Sequence, residues 1–386
     1  MNADSLYRSR LRDVMATTNH REPSRVPVHG DITTWAIAYA GAKTNALLDN
    51  PELLAEKWTS FLDDIYFDTQ HSMGISTPLR MMETLGSNAL FISSDGVTIQ
   101  HQESCMMDAS EYPALIDNPK HFLFHAYPLK KFPILNDPEK PRYETLKKCA
   151  VQTLSWITAN AAVEKTAREK YGVFPLATGA CRVYAPLDVL FDRLRGFKGL
   201  SLDMKRCPEL VVAACEAIYS IYIEDTLKGF PGDFPFAMSP LHSPDFIGPK
   251  KFERFFWPTY KQMALEVAGR GGKIYQILEG DYRPYYDYFR ELPKSSLVCE
   301  VENYEDLFTA KKEIGDVATL IGGIPMGLLR HGSVQECLDC AKEIIDVCAP
   351  GGGFIYCTGK ALLSANDVNV ENLKAVNAFV HEYGKY

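Results

Sequence analysis

The chain has 386 residues, of which 46% are apolar and 23% charged, an ordinary folded composition that excludes disordered and collagen-like chains. Lys+Arg 41 against Asp+Glu 49 leaves a net charge of −8, which argues against nucleic acid as a partner, since that needs a basic surface to displace counterions. No run of about 20 apolar residues suggests a membrane span. Met1 to Arg25 lacks the apolar segment of a secretory signal. A cytoplasmic location follows as the expectation, with the ten cysteines reduced and each read first as a small buried side chain.

In chain order, the first 25 or so residues read as a polar helix and a turn, and Glu22 to Val28 leads into a first strand. Apolar periodicity from Pro51 to Phe67 predicts a helix. Residues 88–106 alternate around Ser94-Asp95-Gly96, which predicts a hairpin. Residues 111–165 read as helical, with interruptions at Pro128, Pro133 and Pro138. From Val173 the pattern repeats strand, loop, helix. Strands are expected at 173–178, 234–238, 273–278, 296–301, 319–324 and 353–357. Helices are expected from about 186, and at 208–227, 252–267, 282–290, 304–314, 334–347 and 369–383. The segment Ser239 to Pro244 reads as a loop. Such alternation implies parallel βαβ units. About eight fit the length, so the expected fold is an α/β (β/α)8 TIM barrel with an N-terminal helical extension (1–25) and a hairpin insertion. All 386 residues then form one domain, the barrel with its insertions occupying 26–386.

In such barrels the chemistry lies at the C-terminal ends of the strands. That rule selects Ser239 to His242, Glu279-Gly280-Asp281, Cys299-Glu300, Gly322 to Pro325 and Cys357-Thr358-Gly359. His29 and Asp31 follow the first strand and read equally as substrate contacts or structural groups. Cys337 and Cys340 sit on one helix face without a second cysteine pair and read as packing. Cys299 also reads as packing, and His331 as a surface or capping residue.

The segment Ala185-Pro186-Leu187-Asp188-Val189-Leu190-Phe191-Asp192-Arg193-Leu194-Arg195-Gly196, followed by Asp203 to Glu209, resembles the uroporphyrinogen decarboxylase-like superfamily. So do Ile321 to Pro325, Gly353 to Cys357 running into Asn369 to Ala375, and the opening Arg21 to Val28. The resemblance covers nearly the whole chain. It implies the barrel and one of three activities: decarboxylation of a porphyrinogen, zinc-dependent methyl transfer between a corrinoid protein and coenzyme M, or zinc-dependent methyl transfer from a methoxy or methylamine-type substrate to a corrinoid.

A porphyrinogen carries eight carboxylates and needs arginines. No arginine lies between Arg25 and Arg80, and the stretch after the first strand is small and aromatic. A compact substrate is therefore expected, with His29, Asp31, Trp35, Tyr39 and Tyr282 as its contacts and Trp257 as a further wall. The zinc methyltransferases of the superfamily carry a His-x-Cys pair after the sixth strand and a cysteine after the last. Cys357 matches the last; Ile277 and Glu279 stand where the pair is expected, a departure that weakens the coenzyme M reading. The resemblance, with His242 added by position, implies a zinc site of His242, Glu279 and Cys357 on strands five, six and eight; the same three residues would be catalytic. The expected function is a zinc-dependent methyltransferase, the O-demethylase component that moves a methyl group from a methoxylated aromatic to the Co(I) corrinoid (cobalamin) of a partner protein. The alternatives are a uroporphyrinogen-type decarboxylase and a non-catalytic barrel binding a small ligand or tetrapyrrole. The oligomeric state is open, a homodimer being one option.

Overall fold

The computed structural model describes residues 2–177, 182–230 and 234–386. Among these, eight short parallel strands surround one axis: β1 (His29–Gly30), β2 (Thr69–Gln70), β5 (Phe174–Pro175), β6 (Phe236–Leu241), β7 (Lys273–Leu278), β8 (Leu297–Val301), β9 (Thr319–Gly323) and β10 (Phe354–Cys357). The pairing runs β1-β2-β5 and β10-β9-β8-β7-β6. A parallel bridge Val28↔Tyr356 joins the chain beside β1 to β10, and Arg182, which follows β5 in the chain, bridges Met238 of β6; the strands form the expected (β/α)8 barrel. The expected end of the third barrel strand, Thr178, lies outside the described residues. The insertion after β2 carries the expected hairpin, β3 (Leu90–Ile92) paired antiparallel with β4 (Ile99–His101). Among the described residues no helix is long and apolar enough to cross a membrane.

The longer strands β6 to β10 are buried almost throughout on both faces because the two faces meet different cores. The outward face packs under the helices. The inward face, which includes Met238, Tyr275, Ile277, Val298, Ile321, Ile355 and Cys357, fills the barrel. The N-terminal helix Ala3–Thr17 starts at Asn2, whose side chain accepts from the Ser5 amide at 2.9 Å. It closes the bottom of the barrel: Val14 is part of the inner core, with Tyr7, Leu11 and Met15 packed against it. Tyr7 meets Phe174 edge-on at 5.5 Å, and Lys273 ties this end by donating to the carbonyls of Thr18 (2.9 Å) and Ser295 (2.6 Å).

Two expectations are corrected. The segment Ser239-Pro240-Leu241 is strand, not loop, because β6 stays in register with β7 through Leu241↔Leu278. Pro128 does not break a helix. It stands at the start of Tyr127–Lys131, directly after a π-helical turn, Phe122–Ala126, where a missing N–H is accommodated by the widened turn.

Candidate active site

Strand alternation decides which side chains enter the barrel. On β7 it selects Tyr275 and Ile277, then Glu279 just beyond the strand. On β8 it selects Val298 and Glu300, on β10 Ile355 and Cys357, and on β1 His29, with Asp31 next beyond. At the centre lies the Tyr275 hydroxyl. It donates to the Glu300 carboxyl and lies 3.3 Å from His29 Nε2 and 3.0 Å from His71 Nδ1. A phenol has one proton, so the two imidazoles must donate to its oxygen. Both are neutral: burial, and then the neighbouring His71, holds His29 well below the ordinary histidine value. Burial and the charge of Arg182 bring His71 down to about 4. With its proton on Nε2, His29 leaves Nδ1 as a buried acceptor with no partner among the described residues.

Around this centre lie acidic side chains whose burial favours their protonated forms. Burial, and then the charge of Asp31, pushes Glu300 well above the usual carboxylate range. Burial and the charge of Glu279 raise Asp31 to about 7. Glu302 is raised by burial, and Lys360 stands 3.6 Å from it. Cys357 is wholly buried. Its sulfur lies 3.9 Å from Glu300 Oε1 and accepts from the Gly359 amide at 3.1 Å. Burial and then Glu300 push this thiol well above its ordinary value.

A second group forms the rim. His242 Nδ1 donates to Asp192 at 2.8 Å, and its Nε2 meets Glu279 at 3.2 Å. Burial alone would lower this imidazole; its two carboxylates outweigh that and raise it to about 11. Asp188 fixes the loop by accepting from the amides of Ser243 (2.9 Å) and His242 (3.3 Å). Burial and the charge of Asp192 raise Asp188 to about 6.

Of the residues the sequence put forward, His242 and Glu279 thus meet, while Cys357 sits deeper, against Glu300. Counted around the barrel, they follow the fourth, fifth and eighth strands, not the fifth, sixth and eighth. Imidazole, carboxylate and thiolate all suit zinc. The placement does not fit it: among the described residues no three His, Cys, Asp or Glu side chains gather closely enough to hold a metal ion. His29 and Asp31 do face the interior. Trp35 does not: it is buried in the outer core with Tyr39 at 5.2 Å and Phe61 at 5.8 Å. The Tyr39 hydroxyl is spent on Asp64. Tyr282 is buried in the same outer core and donates to the Leu241 carbonyl at 2.6 Å, and Trp257 packs there too. Trp35, Tyr39 and Trp257 leave from helices and Tyr282 from the start of a 3-10 turn, all outside the strands whose inward faces line the barrel. Glu300 stands among the strand-end candidates without an assigned role, and Tyr275 and His71 are missed, although a tyrosine on an inward position of an apolar strand carries that signal.

Residues 126–383, more than half of the chain, match the uroporphyrinogen decarboxylase (URO-D) family. The chain belongs to this family. A methyltransferase from Methanosarcina mazei has a similar structure, with 15% sequence identity, a TM-score of 0.59, and coverage of 97% of this chain and 98% of that one. At that identity the likeness establishes a shared fold. No curated protein sequence matches the chain.

Proposed function

We propose that this member of the URO-D family is a methyltransferase that takes a methyl group from a small donor without carboxylates, a methoxylated aromatic in the reference case, and delivers it to a corrinoid held by a partner protein. The observation that supports this reading is an interior lined with carboxyl groups, two of which keep their protons near neutrality. Asp31, Glu279, Glu300 and Glu302 act on one another as like charges, and the cations paired with them among the described residues are His242 and Lys360. Such an interior offers few cations to an eight-carboxylate porphyrinogen and suits a neutral or cationic molecule.

The Co(I) corrinoid would supply the nucleophile for the methyl carbon. The chain's own task is the leaving group. Breaking the methyl C–O bond leaves a phenoxide, which is strongly basic, so a proton must reach that oxygen. Asp31, raised to about 7, carries a proton near neutrality and is the assigned donor. Glu300, hydrogen-bonded by Tyr275, holds the neighbouring proton. His29 and His71 donate to the Tyr275 oxygen and keep its hydroxyl turned to Glu300. No step is routed through zinc, because the three expected ligands do not assemble.

The test incubates the purified chain with a reduced Co(I) corrinoid protein and a panel of methoxybenzenes, reading phenol release and the corrinoid spectrum. Phenol formation that depends on both components is expected. Loss of carboxylate from uroporphyrinogen at enzymatic rates, with no demethylation, would replace this reading by a decarboxylase.

A further inference from the structure

Two arginines stand together between the third and fourth barrel strands without an acid to pair with. Arg182 bridges Met238 of β6, and its charge reaches His71 inside the barrel. Arg193 lies on the π-helical turn Leu190–Arg195, its guanidinium 4.0 Å from the centre of the Tyr184 ring. Tyr222, on the helix Pro208–Leu227, meets the same ring edge-on at 5.7 Å. Burial alone would raise the Tyr184 phenol; the charges of Arg193 and then Arg182 outweigh it and lower the group below the ordinary tyrosine value, so both guanidinia lie close to one hydroxyl. Lys131 of the insertion, already lowered by burial, feels Arg193 as a like charge. Among the described residues no ion pair with a carboxylate includes Arg182, Arg193 or Lys131. Asp192, the acid next to Arg193 in the chain, accepts from His242 instead. Both arginines are exposed, and Lys131, Tyr184 and Tyr222 are half-buried.

We infer that this cluster is a binding site for the oxyanion of a small ligand, a carboxylate or a phosphate group. Three cations gathered without a counter-charge repel one another, in a chain whose net charge is otherwise −8, and a bound anion relieves that repulsion. The geometry supplies the donors. A guanidinium carries its five N–H groups in its own plane. Seated over the Tyr184 ring, Arg193 is held by cation–π attraction, and those of its donors not turned to Tyr184 or Tyr222 stay free for the planar fork of a carboxylate or the oxygens of a phosphate. Arg182 approaches the same hydroxyl and closes the site from its other side. A guanidinium fixed in advance loses less freedom when the anion arrives. Two guanidinia and one ammonium match a single anionic group, not the eight of a porphyrinogen. The methyl donor proposed above carries no carboxylate, so the anion is a second ligand, and the inference stands whether or not methyl transfer is the reaction.

Isothermal titration of the full chain with sodium phosphate and, separately, sodium benzoate tests the site, at low ionic strength where exposed charges are least screened. At least one of the two should bind saturably, one per chain. Phosphate alone assigns the site to a phosphorylated ligand, benzoate alone to a carboxylate, and both together to an oxyanion of either kind. Arg182→Gln and Arg193→Gln should each weaken binding about 10- to 100-fold, the loss expected for charge-assisted hydrogen bonds. Their circular dichroism should match the parent, because both positions are exposed. Arg254→Gln removes an equal charge from a surface pair with Glu209 and should bind as the parent does. The anion should also raise the Tm of the parent and not that of Arg193→Gln. Absence of saturable binding with either anion overturns the inference. So does an affinity unchanged in both Arg182→Gln and Arg193→Gln, or a loss in Arg254→Gln as large as theirs.

Discussion

Replacing Asp31 by asparagine tests the proton-holding character of the interior directly. Asp31 is buried, and its value moves from the ordinary 3.8 to about 7. In the unfolded chain the carboxyl ionises near 3.8, while in the folded chain it keeps its proton to about 7. Between those values the folded state binds more protons, so folding stability falls as pH rises through that window. The gap corresponds to about 4 kcal/mol of lost stability above pH 7, an upper bound for a buried group that interacts with other carboxylates. Asparagine has nearly the same shape and no charge to desolvate. Asp31→Asn should therefore be more stable than the parent at pH 8, by up to about 4 kcal/mol or roughly 5 °C in Tm for a chain of this size. At pH 4 the two should nearly coincide. Thermal and urea denaturation of both proteins from pH 4 to 8 measures the difference. Parallel curves across that range would refute the argument that Asp31 is a buried acid. The same variant should lose demethylation, because an amide cannot deliver the proton.

Tyr275→Phe removes the hydroxyl shared by His29, His71 and Glu300, and should cost about 1–3 kcal/mol from buried groups left unpaired, read by urea unfolding. Gly323→Ala should destabilise by about 3 kcal/mol, because an added Cβ would overlap the Cys357 carbonyl on the neighbouring strand, and a rigid backbone cannot yield; a shift in Tm checks it. Cys357→Ala should unfold more easily than the parent by about 1 kcal/mol, since this thiol packs inside the barrel, and should leave the zinc content of the purified protein unchanged. One tightly held zinc per chain that disappears in Cys357→Ala would restore the three-ligand site.

The barrel was legible where strands are long enough to show a pattern. Residues 273–278 and 304–314 fold as the sequence indicates because an apolar run and a helical period are each complete within them. β1, β2 and β5 have two residues each, too few for any period, and only barrel closure defines them. β6 ran past its expected end because register with β7 outweighs the turn propensity of Ser239-Pro240. The site was half legible. Position at a strand end found His242, Glu279, Asp31 and Cys357. Depth along the strand is a tertiary property, and it separates Cys357 from the rim pair. Trp35 and Tyr282 were assigned to substrate by chemical type, whereas which face of the backbone they leave from sends them to the outer core.

The closing bridge of the barrel has a consequence for synthesis of the chain. Val28 pairs with Tyr356, which is made 328 positions later (356 − 28), and the Val26 amide bonds to the Gly384 carbonyl. At about 5–20 residues per second, the edge of β1 therefore waits roughly 15–65 s on the ribosome for its neighbour. Throughout that interval an unpaired strand edge and the apolar inner face stand open. A pause late in translation would lengthen the interval in which that edge lacks its partner.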